Sequence, residues 1–264
     1  MIWWRKKKSD DAKPSDANVR QLPEHIKTVY AIGDVHGMIN LAKKAEIEIA
    51  ADANFHPDTS LILYLGDLVD RGPDSAFVLD FLNLPSKTGA EREFLCGNHE
   101  AMMQSFLEDP GQHMNWLDFG GYETLNSYGV MESMSKLYKK RSKDLLQLVQ
   151  STISDSHRRF LSRMVDAVDS DAFFFAHAGV VPNTPLTQQT RDDLLWSRDR
   201  FMAHSGGFEK TIVHGHTPVP EAIHANGRVS VDTGAYETGR LSVAKISIED
   251  HLVDFIVVSE GLDC

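Results

Sequence analysis

Gly66-Asp67-Leu68-Val69-Asp70-Arg71-Gly72 stands directly behind the apolar run Ser60 to Leu65, and its reading decides the fold. A short apolar run bounded by glycine and rich in β-branched or aromatic residues has the marks of a buried strand. Two further strings repeat the arrangement. Gly33-Asp34-Val35-His36-Gly37 follows Thr28 to Ile32, and Gly97-Asn98-His99-Glu100 follows Glu93 to Cys96. Each string leads into a stretch with helical character: Met38 to Ala51, Asp74 to Leu82 and Ala101 to Leu107. Three successive strand–turn–helix units predict parallel strands. Their polar residues then lie at the carboxyl ends, where open α/β sheets place ligands.

Two later segments have the same form. Ala172 to Ala176 leads into His177-Ala178-Gly179, and Lys210 to Val213 leads into His214-Gly215-His216-Thr217. The strand ends therefore offer Asp34, His36, Asp67, Asn98, His177 and His216. Oxygen and imidazole donors without a thiolate suit manganese, iron or zinc in an open site rather than a structural zinc knot. Six protein donors exceed the needs of one ion with open positions. Two divalent ions, about 3.5–4 Å apart and sharing a bridging group, use them better. Taken singly, an Asp or His in a loop is a turn residue or a helix cap. It is their joint position at strand ends that favours a site. The glycines serve tight turns under either reading. Glu100 is assigned to structure, as a carboxylate at a helix N-terminus.

These strings resemble the signature of the phosphoprotein phosphatase family within the calcineurin-like metallophosphoesterases: GDxHG, GDxVDRG, GNHE, an HAG-type string and GHT, in that order. The resemblance runs from Thr28 to about Val258. Trp196-Ser197-Arg198 and Val231-Asp232-Thr233-Gly234-Ala235 are similar to the bacterial and phage serine/threonine phosphatase branch. The resemblance implies that Asp34 and His36 hold a first ion and that Asp67 bridges. Asn98, His177 and His216 would hold the second, with Mn2+ preferred over Fe or Zn. Where eukaryotic members have Arg-Ala-His, this chain has His214-Gly215-His216, so the role of His214 is open.

Two ions ionise a bridging water near neutral pH, and the hydroxide attacks phosphorus in line. Arg71 has a planar fork suited to two phosphate oxygens. Arg198 matches the second phosphate arginine of the bacterial branch; a surface ion pair with Asp199 or Asp193 is the alternative. Arg200 competes for the same role. His99, next to Asn98, belongs beside the metal pair as general acid for the leaving oxygen. Asp70 would fix its tautomer and keep the ring cationic, and the resemblance implies the same pair. Asp70 bridging to Arg71, or capping the turn, is the alternative. No serine or cysteine nucleophile with a neighbouring base is visible, and Cys96 reads as a small buried hydrophobe. Attack by water without a covalent phosphoenzyme is therefore expected.

At 264 residues and 42% hydrophobic content the chain can bury one full α/β core. The expected fold is α/β, a two-sheet β-sandwich flanked by helices, the metallophosphoesterase fold. Residues 25–264 form the domain, and a helical insertion spans about 109–168. Lys136 to Val149 and Ser156 to Val168 carry its helical spacing. The stretch Trp116 to Val130, with Gly120-Gly121-Tyr122-Glu123-Thr124-Leu125, resembles a segment of the bacterial branch. The insertion as a whole is expected to be the source of substrate selectivity; the alternative for its aromatics is the packing of a helical cap. Beyond Thr217, Arg228 to Val231, Arg240 to Ile248 and Leu252 to Val258 read as strands of a second sheet, with Asn226-Gly227 and Glu249-Asp250 as turns.

Residues 1–24 read as a polar, disordered tail. Its start, Met1-Ile2-Trp3-Trp4-Arg5-Lys6-Lys7-Lys8, could alternatively touch an anionic membrane surface. No run is long enough to span a membrane and no secretory signal is present. A net charge of −11 argues against broad nucleic-acid binding. Cys96 and Cys264 give no disulfide framework, which suits the cytoplasm. The expected function is a phosphomonoesterase acting on phosphoserine or phosphothreonine in proteins or peptides, and also on phosphotyrosine. One alternative is a symmetrical dinucleoside tetraphosphate hydrolase, whose relatives resemble GDLVARG where this chain has Asp70. Another is a catalytically silent phosphopeptide-binding module.

Overall fold

The computed structural model describes residues 16–261. The Trp/Lys-rich start lies outside them. In chain order the strands are β1 (Val19–Gln21), β2 (Thr28–Ile32), β3 (Ser60–Tyr64), β4 (Glu91–Phe94), β5 (Ala167–Asp169) and β6 (Phe173–Ala176). They continue with β7 (Thr211–His214), β8 (Ile223–Ala225), β9 (Arg228–Ser230), β10 (Arg240–Ser247) and β11 (Val253–Ser259). Helices α1 (Ile39–Ala51), α2 (Ser75–Leu82) and α3 (Asn98–Glu108) follow β2, β3 and β4. The insertion contributes α4 (Gly121–Ser127), α5 (Met134–Leu137), α6 (Ser142–Thr152) and α7 (Asp155–Leu161). Short helices α8 (Arg191–Trp196), α9 (Asp199–Met202) and α10 (Ala235–Thr238) complete the set.

The three predicted units are present, and β2, β3 and β4 run parallel with Ile32 opposite Tyr64 and Tyr64 opposite Phe94. Their sheet has the order β11-β10-β2-β3-β4, and the second has the order β1-β5-β6-β7-β9-β8. Both are mixed. Alternation along the strands explains why they read as unbroken apolar runs: both faces are covered. Val29, Ala31, Leu61 and Leu63 turn inward against Phe173, Phe175, Val213 and Val229 of the other sheet. Tyr30, Ile32, Ile62 and Tyr64 face the helical layer built by α1 to α3 and the insertion. On the far side, Phe174 and Ile212 pack against Leu194 and Phe201.

Four expectations need correction. The C-terminal runs do not form a separate sheet: β10 pairs antiparallel with β2, whereas β9 joins β7 in parallel. Local pattern carries no information on which sheet a strand enters. The polar stretch expected to be disordered to residue 24 contributes β1, which pairs in parallel with β5. Its three residues are exposed, so backbone pairing rather than burial holds them and no hydrophobic signal marks them. The helix expected over Ser156 to Val168 stops at Leu161, and Ala167–Asp169 become β5. There Val165 and Val168 enter the sandwich core, where a short apolar run is ambiguous in period. The helix expected over Lys136 to Val149 is broken at Arg141, whose extended backbone caps α6. The Asn226-Gly227 turn is as predicted: both residues are left-handed and join β8 to β9.

A buried polar network ties α1 to the sheet edge. Arg92 of β4 meets Glu46 of α1 at 2.6 Å, both side chains 5% exposed, and Tyr64 donates to the same carboxylate at 2.8 Å. Arg92→Met should lower the unfolding free energy by about 3–5 kcal/mol, because Glu46 keeps a buried charge without its partner. Pairing it with Glu46→Gln should recover part of that loss. Urea unfolding of the single and double variants checks both.

Candidate active site

The turn after β3 carries Asp67, and one side chain shapes it. Glu100, in the first turn of α3, accepts the backbone N–H groups of Asp67 (2.8 Å), Leu68 (2.7 Å), Val69 (3.2 Å) and Gly97 (2.9 Å). Its assignment to structure holds, but its task is larger than a helix cap. Burial and the charge of Asp67 push Glu100 up to about 7, against the amides that favour its anion.

Asp67 turns its two oxygens toward two groups of donors. Oδ2 lies 3.5 Å from His36 Nε2, and Oδ1 lies 3.3 Å from His177 Nε2. Asn98 Oδ1 is 2.9 Å from His177 Nε2 and 2.9 Å from His216 Nδ1. The groups His36–Asp67–His99 and Asp67–His177–His216 each keep their donor atoms within 4.8 Å of one another. Two ligands about 2.1 Å from one ion stand roughly 3–4 Å apart, so these separations fit a pair of ions sharing Asp67. Backbone carbonyls set the imidazoles: His36 Nδ1 donates to Val69 O at 2.8 Å and His177 Nδ1 to Leu65 O at 2.9 Å. Each ring thereby aims Nε2 inward.

The electrostatics agree with that donor set. Burial pushes His36 down to about 3, and burial with the neighbouring His177 pushes His216 down to about 3, so both are neutral, as ligation requires. Burial opposes charge on Asp67, yet His177, His99 and His36 hold its carboxyl well below the usual range. His177 resists burial through Asp67 and Asp34 and rises to about 10. With Nδ1 directed to Leu65 O, its Nε2 faces Asp67 and Asn98 and is the nitrogen that would ligate.

Asp34 stands outside both groups. It is buried, and both its oxygens accept the His216 N–H, at 3.1 and 3.0 Å. Burial and the adjacent Asp232 push its carboxyl well above the usual range. Asp232, not a candidate from sequence, is itself buried and pushed up to about 6 by burial. Asp34, Asp67 and Asp232 thus crowd three buried carboxylates together, a donor set that suits cations. Gly215 is required here, because a Cβ would press into the Asp34 carboxylate.

His99 Nδ1 meets Asp70 Oδ2 at 2.8 Å, with both side chains buried. Burial disfavours its charge, but Asp67 and Asp70 raise its pKa above the ordinary value. Asp70 therefore does not bridge to Arg71. The Arg71 fork instead reaches His99 Nε2 at 3.1 Å and the Tyr236 hydroxyl at 3.3 Å, over the Tyr236 ring at 5.0 Å. Arg198 is exposed and close enough to His216 to depress it. Among the described residues it pairs with neither Asp193 nor Asp199, nor with any other acid. Trp196 sets its ring edge-on to His216 at 6.3 Å. The open question of His214 has a structural answer. Burial pushes it down to about 4, and it bonds Ser230 Oγ at 2.9 Å and Gly215 O at 3.0 Å. Trp116 and Thr124, unassigned in the sequence, both bond the Asp70 carboxylate.

Buried donors at the carboxyl ends of two facing sheets, sharing one aspartate, define a metallophosphoesterase site. The calcineurin-like phosphoesterase family model matches residues 27–259, and the chain belongs to that family. It is 28% identical over 232 residues to serine/threonine-protein phosphatase 2 of Escherichia coli K12, covering 84% of this chain and 94% of that one. It is 26% identical over 224 residues to the asymmetrical bis(5'-nucleosyl)-tetraphosphatase PrpE of Bacillus subtilis, covering 77% and 84%. Among solved structures, a cold-active protein tyrosine phosphatase superposes with a TM-score of 0.53 at 17% identity, over 95% of this chain and 83% of that one. The protein is thus a metal-dependent phosphoesterase whose relatives divide between protein phosphatases and tetraphosphatases.

Glu100→Gln should lower metal affinity by roughly ten- to a hundredfold, because the turn under Asp67 loses acceptor capacity while the ligands stay intact. Metal titration of the folded variant by calorimetry checks this. Unchanged affinity would show that the turn is held by other contacts.

Proposed function

We propose that this phosphoesterase removes phosphate from phosphoserine and phosphothreonine in proteins. The observation that carries the reading is the buried His99–Asp70 pair at 2.8 Å, which suits a general acid for an alkoxide leaving group. An alkoxide needs a proton to depart, whereas a phosphate chain leaves more readily. In this reading Asp34 and His36 would hold one ion, Asn98, His177 and His216 would hold the other, and Asp67 would serve both. Divalent ions there, manganese first among them, supply the charge that ionises water near neutral pH.

Arg71 and Arg198 bind the phosphoryl oxygens. When phosphate draws Arg71 from His99 Nε2, that nitrogen is free to carry the proton for the leaving group. His99 then donates it while Asp70 holds the ring. The similarity to bacterial serine/threonine phosphatases supports this reading, and a cytoplasmic location is proposed with it. Among the described residues no helix is long and apolar enough to cross a membrane. Dinucleoside tetraphosphate hydrolysis is the second reading, favoured by the PrpE relatives, which are of the asymmetrical rather than the symmetrical kind.

Chelation should abolish hydrolysis of a phosphoserine peptide and manganese should restore it; activity indifferent to chelator would end the metal reading. Wild-type protein should hydrolyse that peptide faster than diadenosine tetraphosphate, and the reverse order would favour the second reading. Arg198→Ala should lower kcat/KM roughly ten- to a hundredfold, the loss of one charge-assisted phosphate contact of about 1.5–3 kcal/mol. Steady-state kinetics check it.

A further inference from the structure

The part of the insertion nearest the site grips the acid pair. Trp116, fully buried, donates from Nε1 to Asp70 Oδ2 at 2.8 Å, the same oxygen that meets His99. Thr124, also fully buried, donates from Oγ1 to Asp70 Oδ1 at 2.7 Å and accepts the Asp70 N–H at 2.9 Å. Ser75 Oγ lies 3.0 Å from both the Asp70 nitrogen and Thr124 Oγ1. Each carboxylate oxygen is thus fixed by a neutral donor from the insertion, and the carboxylate cannot rotate without breaking one of them.

The backbone between these residues is shaped for the grip. Gly120 is left-handed at φ 106°, and its carbonyl accepts the Arg71 N–H at 3.4 Å and the Thr124 N–H at 3.3 Å. A Cβ there would stand 2.5 Å from the Arg71 nitrogen, and one on Gly121 would press into the Trp116 indole. Asp70 and Arg71 are themselves left-handed, at φ 71° and 66°. Such residues persist only where their surroundings over-determine them.

We propose that Trp116 and Thr124 are positioning residues, which orient the His99 imidazole for proton donation by fixing the Asp70 carboxylate. A packing role alone asks only that a buried indole N–H find some acceptor. Here two side chains, from different turns, converge on the one carboxylate that orients the acid. The inference rests on His99 being the proton donor. It assigns the Trp116 to Thr124 stretch to the catalytic apparatus as well as to the helical layer.

Leaving-group dependence tests it, since a misaligned acid matters most when the departing oxygen is basic. Trp116→Phe and Thr124→Val should each lower kcat on phenyl phosphate roughly ten- to a hundredfold, part of the 10²–10⁴ a general acid supplies. On 4-nitrophenyl phosphate the loss should stay within about threefold, with KM and metal content unchanged. Thr124→Ser should restore the rate. In an Asp70→Asn background either change should cost less than about twofold more, because the path through Asp70 is already broken. Equal losses on both esters, or losses that multiply with Asp70→Asn, would overturn the proposal. If Trp116→Phe does not fold, the Thr124 pair decides alone. A wild type that prefers diadenosine tetraphosphate would count against the protein-phosphatase reading only, since both aryl esters report on the acid under either substrate.

Discussion

Glu100 gathers four backbone amides that would otherwise be buried without acceptors, and the candidate metal centre depends on that interaction. An uncompensated buried N–H costs about 1–3 kcal/mol, so the turn has no cheaper conformation available inside the core. The carboxylate also joins two units of the sheet, since it sits on the helix after β4 and holds the turn after β3. Asp67 can then present opposite edges to two sets of imidazoles. Among the described residues, five of the eight non-glycine residues with left-handed backbone are His36, Asp67, Asp70, Arg71 and His216. Strain of about 1–3 kcal/mol at each is sustained by the rigid layers around them.

The sandwich does the rest of the convergence. One sheet delivers Asp34, His36, Asp67 and Asn98, and the other delivers His177 and His216. Neither alone could assemble both donor groups. The core between the sheets, with Val29, Leu63, Phe175 and Val213, therefore sets the distance across the centre. The helical layer reaches the His99–Asp70 pair, because the Asp70 carboxylate takes hydrogen bonds from Trp116 and Thr124.

What could be read from the sequence follows from the range of the physics involved. The strand ends were legible because glycine, aspartate and histidine must lie together for a tight turn to aim a ligand, and β2 spans the very residues expected, Thr28–Ile32. The short strands β1 and β5 were not legible, since their pairing is a backbone interaction between segments remote in the chain. The division of the C-terminal strands between two sheets is likewise a long-range choice. Trp116 and Thr124 were visible only as part of an aromatic, glycine-rich stretch. Their hydrogen bonds reach back 46 and 54 residues. For His214 the pattern left the role open, and its burial beside Ser230 shows a structural hydrogen bond. Asp34 was singled out as a ligand, whereas its attachment to the His216 amide depends on side-chain torsions that no spacing encodes.

The grip of the helical layer on Asp70 bears on how such enzymes diversify. A surface segment joined only by packing can be exchanged between relatives like a detachable module. Here a chimera that imports a foreign segment between α3 and α5 would also lose the hydrogen bonds that hold the Asp70 carboxylate. A replacement that kept the indole, the hydroxyl and the glycine pair would keep those hydrogen bonds while the outer turns changed. In this chain the outer segment and the Asp70–His99 pair are one connected structural unit.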